Sequence, residues 1–394
     1  MRSDTFIAEH TVQPSAESGL TRAQFLTSAA ATVAGATMPL VAAGRASGAA
    51  APRRLTYRGV GYEVADGARP DTGWSAGRMR RDLTAMAEDL HANSVSVFGD
   101  GVRRLAQTAE EAARRGLHVW LRPRLGDVPR KDILDHLGEA GRQAEQLRRQ
   151  GASIDLSVGA EFVLFVPGIV PGADAVERVH NLLSGRYDSE RVQRRLSAFV
   201  ADAASVGRAT FGGRLSYAAA EDDVVDWRLF DVVGIDYYSS FPRRSQHVHA
   251  LRRYGRWGKP VAIAEFGTCT YKGAASRGGL AWDVLDDSGE RLKDDLVRSE
   301  RAQARYLVGL QRIVEALGLD SATVYQFVTP DAPHRREPRY DLDVASYAIV
   351  KPIWATRDQP TPHWHWEPKE AFRALAHEYR QATMTRSGLL SVMS

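Results

Sequence analysis

The chain has 394 residues, a single cysteine and a net charge of +4, with 44% apolar and 25% charged residues. That length suits one large α/β unit plus a leader, and the balance of apolar and charged residues excludes a disordered chain. So small a charge gives no reason to expect a nucleic-acid partner, and the lone Cys269 excludes an intramolecular disulfide and a cysteine-based zinc site.

Residues 1–52 are rich in Ala, Ser, Thr and Gly. TRAQFL (21–26) precedes the weakly apolar SAAATVAGATMPLVAAG (28–44), and small residues recur at SGAAAP (47–52). This segment resembles a twin-arginine export signal, Ser/Thr-Arg-Arg-x-Phe-Leu, with Ala23 in the place of the second arginine. The resemblance implies export, the alternative being a leader that stays in the cytoplasm. No other apolar run is long enough to span a bilayer, so no stable membrane insertion is expected.

From residue 53 short apolar runs alternate with helical patterns. The predicted strands are 58–64, 93–99, 118–124, 154–162, 214–220, 231–238, 259–267 and 322–328. Helical patterns cover 75–92, 102–116, 129–149, 189–208, 244–256, 288–317 and 368–381, and 221–230 has room only for a short helix. Eight strands alternating with helices predict a parallel sheet closed into a (β/α)8 TIM barrel, one domain over 53–385 followed by a short tail, 386–394. An open doubly wound sheet is the alternative, but no GxGxxG turn follows the first strand. The Arg pairs, such as Arg80-Arg81 and Arg148-Arg149, read as solvated helix faces.

Barrel strands alternate between the interior and the helix layer. By that alternation Gly59, Gly61 and Glu63 face inward on the first strand, and Trp120, Arg122 and Arg124 on the third. Ser157, Gly159 and Glu161 do so on the fourth, with Leu156, Val158 and Ala160 on the helix side. Gly234, Asp236 and Tyr238 face inward on the sixth, and Val261, Ile263 and Glu265 on the seventh. The second strand adds Asp100 just past its end. The inward series thus finishes in polar groups at the C-terminal end, where barrels carry their chemistry.

Glu161 and Glu265 end the fourth and seventh strands. Two carboxylates facing one another across a small mouth cannot both behave as free glutamates: one is pushed toward its protonated form, the other stays ionised. That division of labour is what cleavage of a glycosidic bond needs. SVGAEF (157–162), AIAEFG (262–267), VGIDYYSSF (233–241) and HWEPKEAFRAL (365–375) resemble the motifs of the retaining glycoside hydrolases in the large (β/α)8 clan with catalytic Glu on strands four and seven, nearest its β-mannanase and endo-galactanase branches. The resemblance implies Glu161 as general acid/base and Glu265 as nucleophile. It implies Tyr238, or alternatively Tyr237, as the hydrogen-bond donor to Glu265, with Arg122 as its electrostatic partner. Asp236, Asp100, Glu63 and Gln326 would bind sugar. No cofactor and no metal are implied, and the partner would be a carbohydrate. The chain departs from the pattern where Ala160 replaces the usual Asn before the acid/base, and where Tyr325, Gln326 and Phe327 replace the eighth-strand Trp.

Two rival readings stay open. One is a barrel that binds sugar without cleaving it. The other is phage defence, because chains similar over much of their length are sometimes labelled abortive phage-infection proteins; no nuclease or nucleotide-binding motif supports that mechanism. HWHWE (363–367) reads as an aromatic packing segment rather than a metal site. The long segment 330–351 follows the eighth strand and brings Asp331, His334 and Tyr340 toward the rim, and the Gly-rich 273–284 reads as a flexible lid.

Overall fold

The computed structural model describes residues 55–356 and 364–392. Eight parallel strands close into a barrel in chain order: β1 (Tyr57–Glu63), β2 (Ser94–Gly99), β3 (His118–Pro123), β4 (Ile154–Ala160), β5 (Leu215–Ala220), β6 (Val233–Asp236), β7 (Val261–Phe266) and β8 (Ser321–Val324). The helices around it are α1 (Ala76–Thr84), α2 (Val102–Arg114), α3 (Arg130–Arg149), the short α4 (Phe162–Phe165), α5 (Ala175–Leu183), α6 (Ser189–Thr210), α7 (Arg244–Arg252), α8 (Glu300–Leu317) and α9 (Glu370–Val392). All eight predicted strands form, and 221–230 holds only a 3-10 turn, Trp227–Leu229. α4 and α5 were not predicted, nor was the antiparallel pair β9 (Val350–Ile353) and β10 (His365–Pro368). None of the described helices is long and apolar enough to cross a membrane.

The helix starts follow local chemistry. Asp188 caps α6 by accepting from the Arg191 N–H, and Ser299 caps α8 by accepting from the Ala302 N–H, each satisfying a donor the first turn leaves unpaired. Between strands and helices lies one continuous apolar layer, which includes Val60, Val97, Leu121, Leu156, Val233, Ile263 and Val324. The barrel interior is lined instead by Trp120, Arg122 and the small polar groups Ser96, Ser157, Ser216, Ser321 and Thr323, around a cavity of about 10 Å³.

The predicted alternation fails at two strands, and both carry one of the paired glutamates. On β7, Val261 and Ile263 belong to the helix-facing layer, and Ala262 and Ala264 line the interior. Ile235 pairs with Ile263 and Asp236 with Glu265, so Ala264 is an extra residue that returns Glu265 to the barrel side. On β4, Ser157 pairs with Ser216 and Ala160 with Ala218, so β4 also carries one residue more than its neighbour. Ala160, expected on the helix side, therefore stands level with Ala218, between the helix-facing Tyr217 and Ala219. A bulge shifts the face of every residue beyond it, which strict alternation cannot anticipate.

The segments after β7 and β8 fold over one side of the mouth. Trp282, Val284, Leu292 and Tyr347 pack with Phe98, Tyr238 and Tyr325 from the strand ends in a second apolar cluster. The predicted lid, 273–284, is tied down: the Tyr271 hydroxyl donates to the Ala281 carbonyl at 2.8 Å and the Tyr347 hydroxyl to the Gly278 carbonyl at 3.2 Å. Cys269 is buried there, donating to the Ala345 carbonyl, and burial pushes its thiol up, away from the reactive thiolate. Beneath this roof the ammonium of Lys369, fully buried, meets Asp343 at 2.8 Å and donates to Thr270 at 2.9 Å, and Arg298 bridges Asp343 and Asp341. Lys369→Met leaves Asp343 with Arg298 as its one ion-pair partner among the described residues. A loss of about 3–5 kcal/mol is expected in urea unfolding, against less than about 0.5 kcal/mol for the exposed Arg194→Met.

Candidate functional site

The polar ends of the inward series meet at the C-terminal mouth. Arg122, from β3, is 1% exposed. Its guanidinium donates to Glu265 Oε1 and stands 3.7 Å from Asp236 Oδ1. The Tyr238 hydroxyl donates to Glu265 Oε2 at 2.8 Å. Each Glu265 oxygen thus has its own donor. Phe98 lies under both Arg122 and Arg124, with guanidinium-to-ring distances of 4.7 and 4.8 Å.

Glu161 differs in kind. It is 1% exposed, and its Oε1 is buried without a hydrogen-bond partner. Burial, together with the nearby carboxylates of Asp236, Glu265 and Asp223, pushes its carboxyl well above the usual range, and Arg122 only partly offsets them. The two glutamates therefore feel one another across the mouth in unlike settings. Glu161 also has left-handed backbone, φ 40° and ψ 53°, which costs a non-glycine residue about 1–3 kcal/mol unless its surroundings hold it.

Asp236 lies in the same cluster, with both carboxylate oxygens buried and unbonded, and burial with the neighbouring Glu265 drives its carboxyl up. Glu63 is ion-paired to Arg124, and burial raises its carboxyl to about 7 despite that cation. Gln326 is buried, donating to Thr329 at 3.1 Å with its carbonyl oxygen unbonded.

One expectation needs correction, and three other residues are placed by their contacts. Tyr237 does not reach Glu265: its ring lies in the helix-facing layer and its hydroxyl meets His247 Nδ1 at 2.8 Å, because β6 alternates regularly and only Tyr238 turns inward. Asp100 stays at the rim, its side chain partly exposed and 3.3 Å from Arg104, one turn into α2. His334 and Asp331 are fastened to protein. His334 bonds to Asp341 at 3.0 Å, and Asp331 accepts from the Ala68 N–H and the Thr72 hydroxyl, joining the segment after β1 to that after β8. In HWHWE, Trp364 and Trp366 donate to the Asp71 carbonyl and to Asp82, as a packing segment should; His363 lies outside the described residues. Among the described residues no group of three or more His, Cys, Asp or Glu is arranged to hold a metal ion.

Sequence reasoning missed the carboxylates after β5. Glu221 accepts from the Tyr238 N–H and the Ser239 hydroxyl, and Asp223 accepts from the Tyr217 hydroxyl. Burial lifts both to about 7. The signal was present: like its neighbours, the fifth apolar run ends in acids, Glu221-Asp222-Asp223.

The sequence matches no protein-family model, and no curated protein matches it. Solved structures do match. A GH113 beta-1,4-mannanase aligns at 14% identity and TM-score 0.52, over 84% of this chain and 99% of its own. The GH113 beta-mannanase of Alicyclobacillus acidocaldarius aligns at 16% and 0.52, over 84% and 98%. A GH5_18 protein from Streptomyces cattleya, in complex with GlcNAc, aligns at 15% and 0.52, over 84% and 80%. At these identities the likeness establishes the (β/α)8 fold.

Raised carboxyl pKa values fix the sign of the pH dependence of stability. Glu63, Glu221 and Asp223, each near 7, bind protons more tightly folded than unfolded. Their contribution is fully present below the unfolded value, about 4, and is lost as pH rises through about 7. Thermal unfolding is expected to move upward by several degrees from pH 8 to pH 5.5, with a smaller rise in Asp223→Asn. A midpoint that falls over this interval would contradict the assignment.

Proposed function

We propose that this chain is a retaining glycoside hydrolase acting on a polysaccharide or oligosaccharide, with β-1,4-linked mannan the first substrate to test. The observation that carries the reading is the unlike state of two buried carboxyls in one mouth. Glu265 is bonded by Arg122 and Tyr238, while Glu161 has an unbonded oxygen and is driven toward its protonated form. The barrel shared with the two GH113 mannanases, over nearly the whole of each, supports the choice of substrate.

In the first step a Glu265 oxygen attacks the anomeric carbon. The glycosidic C–O bond breaks, and the leaving oxygen takes the proton of Glu161. In the second, water adds to the same carbon, gives its proton to Glu161 and expels Glu265. Arg122 and Tyr238 bond the two Glu265 oxygens before attack and receive the carboxylate again as leaving group. Burial and the crowding of carboxyls around it help Glu161 keep its proton until the leaving group needs it. Glu63 and Gln326, each with an unbonded buried oxygen, are the sugar contacts. The leader-like residues 1–52 support action outside the cytoplasmic membrane.

Hydrolysis of β-1,4-mannan and mannooligosaccharides by purified protein, followed by NMR of the first-formed anomer, tests the reading. The product is expected to keep the β configuration. Glu265→Gln is expected to lower kcat/KM by about 10⁴-fold or more, about 5.5 kcal/mol at 1.36 kcal/mol per decade. Near-wild-type turnover in that variant removes Glu265 from the mechanism, and carbohydrate binding without hydrolysis favours a binding barrel. The alkaline limb of the kcat/KM profile is expected above the usual carboxylate range, following loss of the Glu161 proton, and to vanish in Glu161→Gln.

A further inference from the structure

The general acid of the proposed reaction sits on backbone that its own strand does not stabilise. β4 has already gained a residue over β5 where Glu161 begins, and Glu161 then adopts left-handed φ and ψ. Among the described residues only His91 and Asp127 share a positive φ without being glycine. Two bonds from β5 hold the turn on either side of it. The Glu161 N–H donates to the Ala218 carbonyl at 2.9 Å, a bond any residue at 218 would accept. The next N–H, that of Phe162, donates to the side-chain hydroxyl of Tyr217 at 2.8 Å. This second bond depends on residue type.

The Tyr217 hydroxyl is itself aimed. It donates to Asp223 Oδ2 at 3.0 Å, and the same oxygen accepts the Ala220 N–H at 3.2 Å. With its proton committed to Asp223, the phenol oxygen presents a lone pair to the Phe162 N–H. The ring adds a second hold. It stacks on Phe162 with centroids 4.8 Å apart and planes 24° apart, and Phe199 closes edge-on against Phe162 at 4.8 Å. Gly159 makes room for this fold-back, since a Cβ there would stand 2.4 Å from the Phe162 ring.

We infer that Tyr217, oriented by Asp223, is the positioning residue of the general acid: it fixes the peptide after Glu161 and so keeps the Glu161 carboxyl inside the mouth. The inference rests on the reading of Glu161 as the acid. It assigns a function to Tyr217 and Asp223, which otherwise read as a packed aromatic and a loop carboxylate. The groups facing Glu161 are Asp236 from β6, Glu265 from β7, Asp223 from the loop after β5 and Arg122 from β3. Without the tether the Glu161 side chain is released from burial and from these carboxylates, so its proton is held less tightly.

The test needs no substrate. The carbonyl stretch of the protonated Glu161 carboxyl is identified by infrared spectroscopy as the band lost in Glu161→Gln, and is titrated in the full chain. Tyr217→Phe is expected to broaden the band and lower its midpoint by about one pH unit or more, a tenfold weaker hold on the proton. Asp223→Ala, which removes the acceptor that aims the hydroxyl, is expected to act in the same direction. Tyr62→Phe is the matched control: it deletes another buried tyrosine-to-aspartate bond, to Asp82 at 2.9 Å on the helix side of β1, and is expected to leave the band where it was. A Glu161 band that titrates alike in wild type and Tyr217→Phe overturns the inference whatever Asp223→Ala does, since that variant also removes a carboxylate facing Glu161. So does an equal shift in Tyr62→Phe, which would mean only a softened fold. Turnover retained in Glu161→Gln on mannan would instead defeat the reading of Glu161 as the acid, and the tether would stand as a structural finding.

Discussion

The mouth of this barrel depends on one buried cation. Arg122 has almost no exposure to water, yet a charge taken that far from solvent costs several kcal/mol unless it is repaid by partners. Its partners are Glu265 and Asp236, both as buried as the arginine itself. The three groups make one another tolerable. Phe98 completes the arrangement by giving the guanidinium a ring face in place of water. Glu161 is left out of the exchange. It receives the repulsion of the carboxylates and little of the attraction of the arginine, and this difference between the two glutamates is created by where a single guanidinium points.

Much of this was legible in the sequence. Runs of four to eight apolar residues alternating with helical stretches are a strong signal, and every predicted barrel strand forms. The inward residues of β1, β3 and β6 were readable because those strands keep strict alternation. Glu265 was found at the mouth for a reason that does not hold: its parity with Val261 and Ile263 would have placed three residues inside, whereas Ala264 is inserted and only Glu265 arrives. Tyr237 and Tyr238 could not be separated by composition, and the backbone of β6 separates them. The roles of Glu221, Asp223 and Tyr217 rest on bonds between loops and strand ends, and no local pattern encodes such bonds.

The bulges and the electrostatics belong together. A regular parallel strand turns alternate residues to the helix layer, and there an ionised carboxylate would meet only apolar neighbours. On β7 one added residue lets Val261 and Ile263 satisfy that layer below and delivers Glu265 to the mouth above, whereas on β4 the added residue turns Ala160 to the barrel side and the left-handed backbone of Glu161 follows it. The cost is local: pairing is interrupted, and at Glu161 the backbone enters a region that β5 must hold.

The Lys369–Asp343 contact has a consequence for the order of assembly. The strands that bear Glu161 and Glu265 are made well before residue 369, and they can pair as they emerge. The segments that roof the mouth carry Asp343 and Arg298, and the ammonium that seats Asp343 beside Thr270 comes from the threshold of α9. In chain order all eight barrel strands thus precede the residue that seals the acidic end. The last helix works as the fastener of a compartment whose walls and contents are already in place.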